Sequence, residues 1–322
     1  MRLLIRILTS GFPYLTVLAA LIGLVFPGPA TAIYTAIPIL VMIMMAGVGA
    51  TISLSAILGE WRRWPWIVLI LFGQSIVLPL AGILVGFLLW NPADRLGLLL
   101  ASVAPVEASA SVLILLAGGS EPLGIALLLG SSISTVVVMP FALRLAGQPS
   151  FSVAPVGIAL WLLVVVVGPL FLGSTIRGRF LQTKDPRQSA GAVSAVALLL
   201  VIYGVGSLRP ALGEPAQWLL LVLACLGLNA AGYASGWYGM RALQASREDC
   251  VAVLFTGGMR EFGVAVGLAL QFFGPEPAVA AALYGLTTMV TSGLVLKWVW
   301  SAQGSTQPSW KNNARTEPGS PS

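Results

Sequence analysis

The sequence predicts an all-α polytopic membrane protein: about ten transmembrane helices in two inverted five-helix repeats, with helices 4 and 9 discontinuous. Three observations carry this prediction. First, 57% of the 322 residues are hydrophobic and only 9% are charged, whereas a soluble domain carries about a quarter charged residues. With a mean hydropathy of +0.94, a chain this long has nowhere in water to place its surplus apolar surface. Second, apolar runs recur at the length a bilayer crossing requires, about 17–25 residues. Third, two of these runs are interrupted by Pro or Gly together with charge, at matching positions in the two halves.

The runs fall at 12–28, 33–54, 66–90, 95–118, 121–145, 153–175, 188–207, 215–239, 248–273 and 276–300. With the N-terminus in the cytoplasm, the cytoplasmic side collects Arg2, Arg6, Arg62, Arg63, Arg177, Arg179, Lys184, Arg187, Arg241, Arg247, Lys297, Lys311 and Arg315. The opposite side receives Arg95, Arg144 and Arg209, and Arg260 falls inside a span. This asymmetry follows the positive-inside rule and places both termini in the cytoplasm; the expected location is a bacterial inner (cell) membrane. Residues 1–32, with Arg2, Arg6 and Ala30-Thr31-Ala32, share features with a signal peptide, but the even span count favours a retained helix. Residues 301–322 are polar and read as a disordered cytoplasmic tail. Trp64, Trp66, Trp90, Trp218, Trp298 and Trp300 near span ends read as interfacial belts.

Composition also removes function classes. There is no histidine, so Ser-His and Cys-His nucleophiles and His metal sites are excluded. Cys225 and Cys250 form neither a CxxC pair nor a disulfide framework. An intramembrane enzyme would need clustered acids, a metal or a nucleophile with its base, and only Glu107 and Glu261 are on offer. No catalytic residue and no enzyme are expected. The net charge of +6 is dispersed between apolar runs, so the expected partner is the lipid bilayer and not nucleic acid.

The linker Ala146–Pro155 separates residues 1–145 from residues 156–300, five spans each. An odd number of spans per half makes any repeat inverted, as in secondary transporters with sites at discontinuous helices. The breaks are Ala104-Pro105-Val106-Glu107-Ala108-Ser109-Ala110-Ser111 and Thr256-Gly257-Gly258-Met259-Arg260-Glu261-Phe262-Gly263. A helix stopped in mid-membrane leaves carbonyls that suit a cation and N–H groups that suit an anion. Pro105 lacks an N–H, and the glycines let the backbone leave the helix. A simple Pro or Gly kink is the bland alternative for either break alone.

Glu107, Arg260 and Glu261 are the ionisable residues well inside the spans, and intramembrane charges default to functional candidates. A structural ion pair of Arg260 with Glu107 or Glu261 is the plain alternative. Of the three, one negative charge is left over to hold a cation or take up a proton. Gln74, Asn229 and the cluster Ser131, Ser132, Ser134 and Thr135 fit a polar lining, although a lone hydroxyl usually bonds its own helix. Gly82 and Gly86 form a close-packing pair. Ser246-Arg247-Glu248-Asp249 reads as a capping box opening the ninth span.

The segments FGQSIVLP, SVAPVEASASVLILLAGGS and GSSISTVVVMP, with SREDCVAVLFTGGMREFGVAVGLALQFF, resemble the bile acid:sodium symporter superfamily over about residues 40–300. The resemblance implies a panel group and a core group of helices, with the discontinuous helices 4 and 9 crossing in the core, and uptake of a small organic anion with sodium by alternating access. It implies a substrate and ion site at Gln74, Pro105, Glu107, Ala110, Ser111, Ser131, Ser132, Thr256, Met259, Arg260 and Glu261, with sodium at Gln74, Ser111, Ser131, Ser132 and Thr256. No cofactor is expected beyond a coupling sodium ion or proton. Thr256 stands where the superfamily has its sodium-site acid, Arg260 and Glu261 where it has a Gln-Asn pair, and Ala110 and Ser111 where it has Ser-Asn. Arg260 then reads as a tethered cation at the sodium position, with Glu107 or Glu261 as counter-charge and transport that is proton-linked, uncoupled or exchange. A non-transporting receptor on the same fold is a further alternative. Thr256, Phe262 and Val264-Ala265 are also similar to the arsenite-permease branch, but Val106 replaces that branch's cysteine.

Overall fold

The structure, a computed structural model, describes residues 12–28, 30–52, 60–146, 154–180, 186–207 and 214–302. Most of the linker (147–153) and of the polar tail (303–322), and residues Arg2, Arg6, Lys184, Arg209, Lys311 and Arg315, lie outside the described residues.

Among the described residues, twelve α-helices follow in chain order: α1 (Phe12–Val25), α2 (Ala30–Thr51), α3 (Trp64–Gly86), α4 (Pro92–Val103), α5 (Ser109–Leu116) and α6 (Glu121–Leu145). Then come α7 (Pro155–Leu162 and Gly168–Phe180, joined by a π turn at Leu163–Val167), α8 (Pro186–Gly206), α9 (Pro215–Ala242), α10 (Arg247–Gly258), α11 (Phe262–Phe272) and α12 (Pro275–Ser301). Their starts obey local chemistry. Asn91 Oδ1 accepts the Ala93 N–H at 2.9 Å to cap α4, and Pro92 stands where an N–H would be unpaired anyway. Ser246 caps α10 through the Asp249 N–H at 3.2 Å, as the capping box predicts. The π turn in α7 precedes Pro169; the Gly168 N–H bonds Leu163 O, so the ladder shifts where the proline has no donor.

Six helices among the described residues are long and apolar enough to cross a membrane, and three shorter apolar helices lie at Tyr14–Val25, Thr35–Thr51 and Phe262–Phe272. Their outward faces are apolar: Phe72 is 65% exposed, Leu84 66% and Val137 74%. Such surface is tolerated only against lipid, so the chain is an integral membrane protein. The runs predicted at 95–118 and 248–273 are each two helices, α4 with α5 and α10 with α11.

Contacts sort the helices into two groups. In one, α8 packs on α1 and α2, and α2 on α7. In the other, α3 contacts α4, α6 and α9, while α12 contacts α4, α9 and α11. The groups meet where α6 packs on α7 and where α11 touches α2 and α8. Small residues permit the closest crossings. A Cβ on Gly232 of α9 would sit 2.5 Å from the Gly257 carbonyl oxygen of α10, and one on Gly82 would meet Ser102 Oγ at 2.7 Å.

Candidate functional site

The two helix breaks complete each other. α4 stops at Val103 and α10 at Gly258; Met259 is extended, and helix resumes at Ser109 and Phe262. Between them Val106 and Arg260 form an antiparallel bridge. The Glu107 N–H donates to Met259 O at 3.1 Å, and the Glu261 N–H donates to Pro105 O at 2.7 Å. Groups that would be orphaned in hydrocarbon are thus paired break to break.

The neighbouring helices serve the rest. Ser131 Oγ on α6 accepts the Val106 N–H at 2.9 Å while donating to Leu128 O. Thr135 Oγ1 donates to Val103 O at 3.0 Å. On the other half, Gly258 O accepts from Asn229 Nδ2 on α9 at 2.6 Å and from the Tyr284 hydroxyl on α12 at 3.1 Å. Asn229 also donates to Thr288 Oγ1 at 3.1 Å and accepts from Thr291. The last carbonyl region of each half-helix is therefore held by a hydroxyl from α6 or α12, the helix that follows its own broken span.

All three charged residues are buried: Glu107 is 2% exposed, Glu261 3% and Arg260 5%. The expected ion pair is not formed. The salt bridges among the described residues join Arg63 to Glu60 and to Asp249. The reason is the bridge register: side chains leave extended backbone on alternate faces, so Arg260 shares a face with Val106, and Glu107 and Glu261 leave the other. Arg260 lines a small cavity of about 10 Å³ with Gln74, Ser102, Ser134 and Thr135, and its Nη1 reaches Thr256 O at 3.4 Å. Gln74 Nε2 bonds Thr256 Oγ1 at 3.2 Å. Arg260 Nε and Gln74 Oε1 have no partner in the protein, and the cavity has the volume of one water able to bridge a donor to an acceptor.

This geometry gathers Gln74 and Arg260 at the cavity, with Thr256 bonded to both, and Pro105, Glu107, Met259, Glu261 and Ser131 at the paired breaks. Others stay apart: Ser111 bonds Ala108 O at 2.8 Å, Ser132 bonds Leu128 O at 2.9 Å, and Ala110 is plain core. The five residues expected to hold sodium are not brought together as one ligand set. Arg260 lines the cavity beside Gln74, Gln74 is bonded to Thr256, and among the described residues no carboxylate bonds either of them. Tyr284, Thr288 and Thr291 were not among the expected site residues. A tyrosine in mid-span, away from the interface where tyrosines concentrate, is the signal that identifies them.

The Sodium Bile acid symporter family matches residues 38–209. An uncharacterized sodium-dependent transporter of Bacillus subtilis (strain 168), YocS, is 28% identical over 289 residues, 88% of each chain. The Bacillus subtilis protein YbaS is 25% identical over 237 residues, covering 70% of this chain and 76% of its own. The probable sodium/metabolite cotransporter BASS1, chloroplastic, of Arabidopsis thaliana is 25% identical over 300 residues, 91% of this chain and 73% of its own. The family match runs across more than half of the sequence and through the first helix break, so this chain belongs to the Sodium Bile acid symporter family, which comprises transporters and not enzymes.

Proposed function

We propose that the protein is a secondary active transporter that moves a small organic anion across the cell membrane by alternating access. Its two inverted halves, residues 1–145 and 156–300 joined by 146–155, place the site between the breaks of spans 4 and 9. Both ends lie in the cytoplasm. The observation that carries the reading is the reciprocal pair of backbone bonds, Glu107 N–H to Met259 O and Glu261 N–H to Pro105 O. Two broken helices that lock to each other around buried charge have no use in a passive bundle, and midplane sites in inverted-repeat carriers are built this way.

The relatives' names speak of sodium-dependent transport, and coupling to a cation is the corresponding reading here. Arg260 serves as a tethered cation in the Gln74 cavity, so that seat recruits no ion from solution. The protein's own residues bind and orient: the starts of α5 and α11 attract negative charge, Ser131 and Asn229 hold the breaks open, and the packed faces around them exclude water. Proton-coupled or exchange transport is the alternative consistent with the same arginine.

The test is counterflow of a panel of organic anions into proteoliposomes under imposed sodium, potassium and pH gradients. Solute-driven flux that follows one gradient supports the carrier and names its coupling ion. Tight binding of a solute without flux under any gradient would instead make the protein a receptor built on the same fold.

A further inference from the structure

The charges buried at the crossing do not sum to zero. Arg260 supplies one positive charge and Glu107 and Glu261 two negative ones. The bridge register sends both carboxylates off the same face of the paired backbone. Glu107 Oε1 accepts from the Ser109 hydroxyl at 2.7 Å, and Glu261 stands immediately before the start of α11. Glu107 Oε2 and Glu261 Oε1 have no partner at all, although both are cut off from solvent. An unpaired buried carboxylate oxygen is strongly unfavourable unless a cation or donor reaches it. The one guanidinium at the crossing lies in the Gln74 cavity, on the face of the paired backbone away from them.

Resting on the reading of the protein as a cation-linked carrier, we propose that Glu107 Oε2 and Glu261 Oε1 seat one monovalent metal cation. With Arg260 that single charge balances the two carboxylates; a divalent ion would leave an excess. The cation seat of this chain is thus the carboxylate pair and not the Gln74 cavity, which Arg260 already lines with its own charge. The displacement also supplies a reason for coupling. A negatively charged solute approaching the starts of α5 and α11 is repelled by two bare carboxylates. It meets a neutral crossing once the cation is in place, so cation and solute favour each other's binding.

Purified full-length protein is melted in detergent at fixed pH and ionic strength, with lithium, sodium or potassium replacing N-methyl-D-glucamine. At least one metal ion is expected to raise the melting temperature saturably, by about 5 °C. Glu107→Gln keeps size and the Ser109 contact but should weaken the apparent affinity at least about tenfold, a fold-change equal to one decade of Kd. A wild-type protein that no metal ion stabilises, or one whose stability follows pH alone, overturns the proposal, and so does an undiminished effect in the variant. If the variant does not fold, equilibrium dialysis of wild type against the metal ion that raised its melting temperature decides, with one ion per chain expected and none refuting. These readouts involve no flux. Transport without cation binding would therefore sink the seat and leave the carrier standing, and cation binding without transport would do the reverse.

Discussion

The carbonyl of Gly258 ends the first half of the second broken helix, and two side chains donate to it: Asn229 Nδ2 at 2.6 Å and the Tyr284 hydroxyl at 3.1 Å. Asn229→Ala removes one donor without orphaning any group. Gly258 O keeps Tyr284, Thr288 Oγ1 still donates to Tyr284 O, and Thr291 Oγ1 to Thr287 O, both at 2.9 Å. The loss is therefore two or three net hydrogen bonds at about 1 kcal/mol each, with a small cavity, or about 2–4 kcal/mol. Tyr284→Phe keeps the ring and loses one bond, about 1 kcal/mol. The double variant differs in kind, because it leaves the Gly258 carbonyl buried with no donor from either side chain. That adds about 1–3 kcal/mol beyond the sum of the singles. Reversible unfolding of the four proteins in one detergent gives the cycle. Singles that add to within about 0.5 kcal/mol would show that the two side chains do not share the carbonyl, and the account of how the break is held would fail.

Ser131→Ala leaves the Val106 N–H without its acceptor inside the first break, and is expected to cost about 1–3 kcal/mol in the same unfolding assay; Ser132→Ala, whose hydroxyl only bonds its own helix, should cost less than about 1 kcal/mol. Arg63 at the start of α3 bonds Asp249 at the start of α10 and is itself 37% exposed, so Arg63→Gln should lower stability by at most about 1 kcal/mol, an effect that shrinks as salt is raised. The orientation is tested at the two ends of α9 in a background without Cys225 and Cys250. Glu214→Cys should react with an impermeant maleimide from outside intact cells, and Ala242→Cys only after the membrane is opened; the reverse pattern would invert the topology.

The broken helices were legible because their cause is local. Pro105 removes a donor, Gly257 and Gly258 loosen the backbone, and each is followed within a few residues by a charge that has no business in hydrocarbon. The cap at Ser246 was legible for the same reason. The hydroxyl that matters on α6 was not separable from its neighbours: Ser131 and Ser132 are adjacent and alike in sequence, and only the helix phase turns one to the Val106 N–H and the other back to Leu128 O. Asn229 stood out as an amide in an apolar run. Its partners Thr288 and Thr291 did not, because hydroxyls in membrane helices are common and normally bond within the helix; the mid-span Tyr284 beside them was the one available signal.

The destination of the charges was illegible for a stricter reason. In an extended pair, a shift of one residue moves every side chain to the other face, and the sequence contains nothing that distinguishes Val106 opposite Arg260 from Glu107 opposite Arg260. The second register would have put Glu107 beside Arg260 on one face and left Glu261 alone on the other. The register found leaves the guanidinium on the Gln74 side and both carboxylates on the other. One excess negative charge is present in either case. What the register decides is where it sits: only with both carboxylates on one face can a single cation serve the two together.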